Sequence, residues 1–332
     1  MTNTVIVQVR FTPLPSLVAQ ILFLGLMMSG ASAVWGQDFP VKPIRIVTAE
    51  AGTNADLTAR VISQKVSGTL GQQVVVDNRG GSVTIAAQIV SKALPDGYTL
   101  FVTGNSFWLF PLLQDAPFDP AREFLPVTMT NRAPNVLVVH PSVPATSVKE
   151  LIALAKAKPG ALDYGSGLTG AINHLAAELF NSMAGVNIVH IPYKGSATAV
   201  TALLGGEVRL IFSAAGPTAP HVKSGRLRAL AVTSAQPSAL APGLPTVAAS
   251  GLPGYEAEAL TAIFAPAKTP ATRINRLNRE FVRVLNEAES KERFFSAGMD
   301  VVASSPEQCV AMVSSEITKW GKVIKDRGIR SK

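Results

Sequence analysis

Short β-branched runs alternate with amphipathic helical stripes along nearly the whole chain from about residue 43 onward, and this alternation constrains the fold more than any other feature. Strand followed by helix, repeated, is the pattern of an α/β protein, in which helices cover the faces of a sheet. Residues 43–47 read as a first strand. A helix is predicted over 55–70, with Leu57, Val61, Val66 and Leu70 on one face and Gly71 as its stop. Residues 74–76, 99–103 and 135–139 read as further strands. Ser147-Val148-Lys149-Glu150 is a capping box that opens a helix ending at Pro159-Gly160. Ile172, Leu175, Leu179 and Met183 form one helical stripe, stopped by Gly185. Strands follow over 188–191, 208–212, 228–233 and 261–265. Thr269-Pro270 opens a helix carrying Ile274, Leu277, Phe281 and Leu285, and Ser305-Pro306-Glu307-Gln308 opens the last, with Val313, Ile317, Trp320 and Ile324 inward. These stripes read as core. A length of 332 residues suits one large domain or two ordinary ones. Pro-rich connections at Pro141-Ser142-Val143-Pro144 and over 237–245 favour two smaller α/β domains.

Composition excludes several alternatives. The chain is 47% hydrophobic and 16% charged, where about 25% charged is ordinary. Disorder, coiled coil and collagen all need a different composition. The single cysteine, Cys309, excludes an internal disulfide and a Cys-rich metal site, and it reads as a buried core thiol. Net charge is +8, but Lys and Arg are spread along the chain, so no nucleic-acid surface is predicted.

Residues 17–28 are almost continuously apolar, Arg10 lies upstream, and no acidic residue precedes Asp38. The run ends in Ser29-Gly30-Ala31-Ser32-Ala33, whose last three residues fit a small-x-small cleavage site. It is short for a membrane span and lacks stop-transfer charges, so residues 1–36 read as a secretory signal peptide cleaved near 33–36. No cysteine follows to carry a lipid. An exported soluble protein without disulfides points to the periplasm.

Catalytic signatures are thin. There is no His-Glu-x-x-His, no Walker lysine loop and no Gly-x-Ser-x-Gly elbow, since Tyr164 stands where the elbow around Ser166 needs glycine. His140, His174, His190 and His221 lack metal-ligand spacing and read as hydrogen-bonded structural residues. No catalytic residue, metal or cofactor is predicted. Gly165-Ser166-Gly167-Leu168-Thr169-Gly170 fits Gly-x-Gly-x-x-Gly, but the next strand ends His190-Ile191-Pro192-Tyr193, without the acid that would hold a ribose. What survives is a helix N-terminus able to attract an anion. A second such loop, Thr48-Ala49-Glu50-Ala51-Gly52-Thr53-Asn54, has Gly52 for a tight turn and Thr53 or Asn54 as cap. The two loops lie in opposite halves of the chain. Facing each other across a cleft they would grip a small molecule from both sides; the plainer alternative is two ordinary helix caps.

From about Phe39 to Ile329 the chain resembles the tripartite tricarboxylate transporter substrate-binding family, also called Bug receptors. The resemblance is carried by Pro40-Val41-Lys42-Pro43-Ile44-Arg45, Pro95-Asp96-Gly97-Tyr98-Thr99-Leu100, Val148-Lys149-Glu150-Leu151, Val189-His190-Ile191-Pro192-Tyr193-Lys194-Gly195 and Gly225-Arg226-Leu227-Arg228-Ala229-Leu230. It implies a two-lobed type II periplasmic-binding fold, with residues 37–138 plus 252–332 as one lobe and 139–251 as the other. It further implies a small carboxylate in the interlobe cleft, held by backbone amides, hydroxyls and water. Carried over by position, the ligand-binding residues would be Thr48, Glu50, Gly52, Thr53, Asn54 and Ser106 from the first lobe. The second would supply Ser166, Thr169, Gly170, Ala171, His174, Tyr193 and Ser213.

The chain departs from the family pattern in several places. Residues 48–53 keep one glycine where two and prolines are usual, the loop after Arg79 is about a residue short, Ser213 replaces the usual Asp, and Ala171 replaces a Thr. Glu50 would repel an anion unless protonated or turned outward, which suggests a neutral, amide-bearing or zwitterionic ligand. Phe107 and Trp108 would either stack on an aromatic ligand or belong to the core. The reading is thus a monomeric, exported, non-catalytic receptor that presents a small organic solute, such as a carboxylate, to membrane transporter subunits. The alternatives are a ligand sensor for a signalling system and an exported enzyme using Ser166 or His174.

Overall fold

The computed structural model describes residues 39–80 and 82–330. The chain divides into two compact units, Met1–Val41 and Lys42–Lys332, and the architecture below is that of the second. The predicted signal peptide lies outside the described residues. No helix among the described residues is long and apolar enough to cross a membrane.

The elements begin with β1 (Ile44–Thr48), α1 (Asn54–Leu70), β2 (Val74–Asn78), α2 (Val83–Ser91), β3 (Thr99–Gly104), α3 (Asn105–Leu113) and a short α4 (Pro120–Glu123). The long β4 (Phe124–Val139) leads to α5 (Val148–Ala157), β5 (Asp163–Ser166), α6 (Ile172–Ala184), β6 (Val189–Pro192), α7 (Ser196–Leu204), β7 (Leu210–Ala214), α8 (Ala215–Lys223) and β8 (Arg228–Val232). The chain closes with β9 (Glu258–Pro266), α9 (Ala271–Leu285), α10 (Ala288–Ser296), β10 (Asp300–Val301) and α11 (Pro306–Arg327).

The strand order is β2-β1-β3-β9-β4-β7-β5-β6, with β8 and β10 also on β4. β1 pairs in parallel with β2 and β3, and β5 in parallel with β6 and β7. The antiparallel strands β9 and β4 join the two groups. Residues 124–134 of β4 pair with β9, and residues 135–139 pair with β7 and β8. One strand therefore changes partners between Pro134 and Asn135.

Only the last third of β4 is predicted from the sequence. Pro126 and Pro134 lack the N–H a ladder needs, and Thr128, Thr130, Asn131 and Arg132 interrupt the apolar pattern. In the fold most of these buried polar groups have partners, Asn131 Oδ1 and Asn135 Nδ2 excepted. Thr128 Oγ1 donates to the Ser304 carbonyl at 2.8 Å, Thr130 Oγ1 to the Thr261 carbonyl at 2.8 Å, and Asn131 Nδ2 to Thr58 Oγ1 at 2.8 Å. Helix α3 (NSFWLFPLL) is also missed, being short, nearly all apolar and interrupted by Pro111.

Helix ends follow their local signals. Gly71 and Gly185 stop α1 and α6 in the left-handed region, at φ 66° and 61°. Ser305 and Gln308 form the full reciprocal box of α11. The box at α5 is half formed, because Glu150 Oε2 accepts from Thr146 N at 2.7 Å and not from Ser147. Of the predicted stripe on α6, Met183 is exposed.

Phe107 and Trp108 are core. Both are at most 1% exposed. Phe107 meets Phe101, Phe118, Phe124 and Phe264 at centroid distances of 4.8–5.2 Å. Neither ring is free to stack on a ligand. Cys309 is buried, and burial pushes its thiol up to about 12.

Candidate functional site

A cavity of about 510 Å³ opens where the C-terminal ends of β1 and β3 meet the loop after β5. This is where ligands gather in α/β sheets, because the loops there end in helix N-termini. One wall comes from the β1–α1 loop: Thr48, Ala49, Glu50, Thr53, Asn54 and Ala55. The β3–α3 junction adds Thr103, Gly104, Asn105 and Ser106, and Ser82 and Val83 come from the start of α2. The β5–α6 loop supplies Leu168, Gly170, Ala171 and Ile172, and β9 supplies Ala259, Leu260 and Thr261.

The β1–α1 loop is held from behind. Thr53 Oγ1 accepts from Asp56 N at 3.3 Å, so of the two predicted caps it is Thr53, not Asn54, that caps α1. Asp56 accepts from Gly52 N at 2.9 Å, from Asn78 Nδ2 at 2.8 Å and from Arg60 Nε at 3.0 Å. Burial works against its charge, but Arg60, Gly52 and Asn78 together hold the carboxyl below its ordinary value. Gly52, at φ 78°, makes the tight turn. Thr48 is wholly buried, and its Oγ1 has no hydrogen-bond partner.

The second wall is set by α3. Asn105, at its first turn, accepts from Leu260 N at 2.6 Å and donates to Glu316 Oε2 at 2.9 Å. Glu316 also accepts from Trp320 Nε1 at 2.7 Å. A buried amide thus ties α3 to β9 and α11 and leaves the neighbouring Ser106 exposed toward the cavity. No side chain caps α3.

The third wall is the loop 167–171. Gly170 has φ 82°, and a Cβ there would lie 2.4 Å from Leu113 Cδ1, at the end of α3. Gly170 N donates to His174 Nδ1 at 2.9 Å. The His174 ring stacks on His190 at 4.1 Å, and His190 stacks on Tyr164 at 4.9 Å. Tyr164 donates to Glu178 Oε1 at 2.6 Å, and Glu178 pairs with Arg327 at 2.5 Å. Burial, helped by His190, lowers His174 to about 4, so the neutral ring is the one that accepts from Gly170. Helix α6, like α3, has no side-chain cap.

Of the predicted binding residues, Thr48, Glu50, Thr53, Asn54, Ser106, Gly170 and Ala171 line the cavity. Gly52 shapes its loop, and His174 holds Gly170 from behind. Ser166, Thr169, Tyr193 and Ser213 are not part of the wall. Ser213 pairs with Val136 inside the sheet, and Tyr193 N donates to the Ser166 carbonyl at 3.0 Å. Sequence reasoning does not find Asn105, Ser82, Leu168 or Thr261. Asn105 belongs to an unforeseen helix, and the others are ordinary loop and strand residues until the fold brings them together.

The structure does bring a hydroxyl and an imidazole together: Ser166 Oγ lies 2.7 Å from His190 Nε2. Ser166 is wholly buried and outside the cavity wall, and His190 packs between two rings. A nucleophile must reach its substrate, and this one has no access. No group of three or more His, Cys, Asp or Glu side chains suited to a metal occurs among the described residues.

Comparison with known proteins gives a consistent picture. The family model for the tripartite tricarboxylate transporter family receptor matches residues 58–329. The chain is 35% identical over 307 residues to protein BugT of Bordetella pertussis, covering 91% of this chain and 94% of that one. It is similar to an R. palustris protein solved with adipate, at 36% identity and TM-score 0.74, covering 88% of this chain and 99% of that one. It is also similar to MatC of Rhodopseudomonas palustris, solved with malate, at 26% identity and TM-score 0.70, covering 86% of this chain and 100% of that one. The α/β class and the two-lobed periplasmic-binding fold implied by the resemblance are those of these structures.

Proposed function

This chain belongs to the tripartite tricarboxylate transporter receptor family, and from that premise we propose that it is an extracytoplasmic solute receptor that closes on a small organic carboxylate and presents it to membrane transporter subunits. One observation carries the reading. Two helices without side-chain caps, α3 and α6, begin at one cavity from opposite groups of strands. Their first-turn N–H groups and dipoles favour an anion. A cavity of about 510 Å³ falls within the range for small ligands. The adipate- and malate-bound relatives support a carboxylate.

In this reading residues 37–138 with 252–332 form one lobe and 139–251 the other, with β4 and the segment entering β9 as the crossings. Closure needs only contacts that are better in the shut state than in the open one. The reading assigns no reaction, places the protein in the periplasm and treats it as a monomer. It assigns ligand contact to Thr48, Glu50, Thr53, Asn54, Ser106, Gly170 and Ala171, and gives Gly52 and His174 a supporting role.

A thermal-shift screen tests it, with mono-, di- and tricarboxylates, amino acids and amides. A solute that binds only the folded state raises its stability by about 2.7 kcal/mol at a hundred times Kd. Saturable shifts with carboxylates are the expected result. A flat screen on folded protein overturns the reading.

A further inference from the structure

Resting on the reading of the cavity as a solute site, we infer that its occupant is a small aliphatic acid with an ammonium group at the end remote from its carboxylate, and that Glu50 is the residue that selects it. Among the described residues Glu50 is the only ionisable side chain in the cavity wall; Lys, Arg and His are absent from it. Among the described residues the Glu50 side chain makes no hydrogen bond or ion pair, so no protein cation neutralises it. A second carboxylate drawn in beside it would meet a like charge with no cation between them. An ammonium there would meet a partner that the protein itself does not provide.

The far end of the ligand has its own partners. Helices α3 and α6 start at the cavity without side-chain caps. Thr48 belongs to the same wall, and its buried hydroxyl has no partner among the described residues. A buried hydroxyl without a hydrogen bond is costly, and a ligand carboxylate supplies the missing acceptor. The wall also carries apolar side chains. Leu168 stands 68% exposed at the cavity, with Ile172 and Leu260. A methylene spacer covers such a surface, as a short polar acid does not.

The test uses matched pairs measured by calorimetry on the whole protein. Within these pairs, drawn from sets of three, the compounds share one carbon chain, three to six carbons long, and differ only at one end: a diacid, its monoamide and its ω-amino acid, such as glutarate, its monoamide and 5-aminopentanoate. The wild type is expected to prefer the ω-amino acid over the diacid by about five- to tenfold, with the monoamide between, as befits one partly exposed ion pair. Glu50→Gln, a change at an exposed loop position, is expected to level or reverse that order. Unchanged melting of the unliganded variant establishes that it folds. A wild type that prefers the diacid, an order untouched by Glu50→Gln, or no binding in any series while other solutes bind would overturn the inference and leave the receptor reading standing. No binding of any solute would remove the receptor reading itself.

Discussion

Single residues decide how the cavity is lined. Thr48 ends β1 with a hydroxyl that has no hydrogen-bond partner among the described residues. Thr48→Val keeps the shape and removes that group. In unliganded protein the change should be neutral or stabilising by up to about 1 kcal/mol, since no bond is lost. Ligand affinity should fall by about tenfold, the worth of one hydrogen bond. Chemical denaturation and calorimetry on the same preparation check both. Gly170 makes the opposite case. Its φ of 82° and the 2.4 Å approach of a Cβ to Leu113 leave no room for a side chain. Gly170→Ala should destabilise by about 1–3 kcal/mol and weaken ligand binding, because relieving the clash moves the loop or Leu113.

At the scale of elements, the loop 167–171 depends on the face of α6 behind it. His174 accepts from Gly170 only while Nδ1 is unprotonated. Tyr164, Glu178 and His190 surround it, and Arg327 neutralises Glu178. With the folded ring lowered to about 4, the unfolded chain binds the proton first as pH falls below the ordinary histidine value of 6.5. Stability contributed by the neutral ring is therefore full above about pH 6.5 and lost as pH falls towards 4. The loss is of order 3 kcal/mol. Urea midpoints measured between these limits should fall with acidification, and His174→Gln should flatten the trend. A slope unchanged by the substitution would assign it elsewhere. Helix α3 acts differently: Asn105, Glu316 and Trp320 fix its start against β9 and α11, so the exposed Ser106 is carried by a buried network.

For the whole molecule, the decisive device is the pair of strands joining the two groups. Thr233 joins β4 to the residue that precedes β9. Its hydroxyl donates to the Ala257 carbonyl at 2.6 Å and accepts from Asn135 N at 2.8 Å, and its own N–H donates to the Asn135 carbonyl at 2.9 Å. This is where β4 changes partners. Thr233→Val should cost about 1–3 kcal/mol, as buried backbone groups lose their partners. If closure turns on this point, the variant should also change ligand association and dissociation rates, while Thr233→Ser keeps both near wild type. Stopped-flow fluorescence reads the rates.

The sequence alone determined what depends on near neighbours. Gly71 and Gly185 stop their helices, Ser305 and Gln308 cap α11, Thr53 caps α1, and the loops at 48–54 and 165–170 stand at helix starts, because each is settled within a turn of chain. The same local signals mark the two loops that reach the cavity, whereas Ser106 and Ala171 are placed at it by the family resemblance. Tertiary structure decided the rest. Whether Phe107 and Trp108 face a ligand or a core depends on Phe124 and Phe264, which lie far along the chain. Ser213 falls inside the sheet because β7 registers it against Val136, and alternate residues of a strand face opposite sides. Ser166 and His190 meet because β5 and β6 are neighbours, in a place no substrate reaches. Local rules fix where the chain turns and caps; long-range pairing fixes which side chains are left facing the cavity, and short-range pattern holds no record of that pairing.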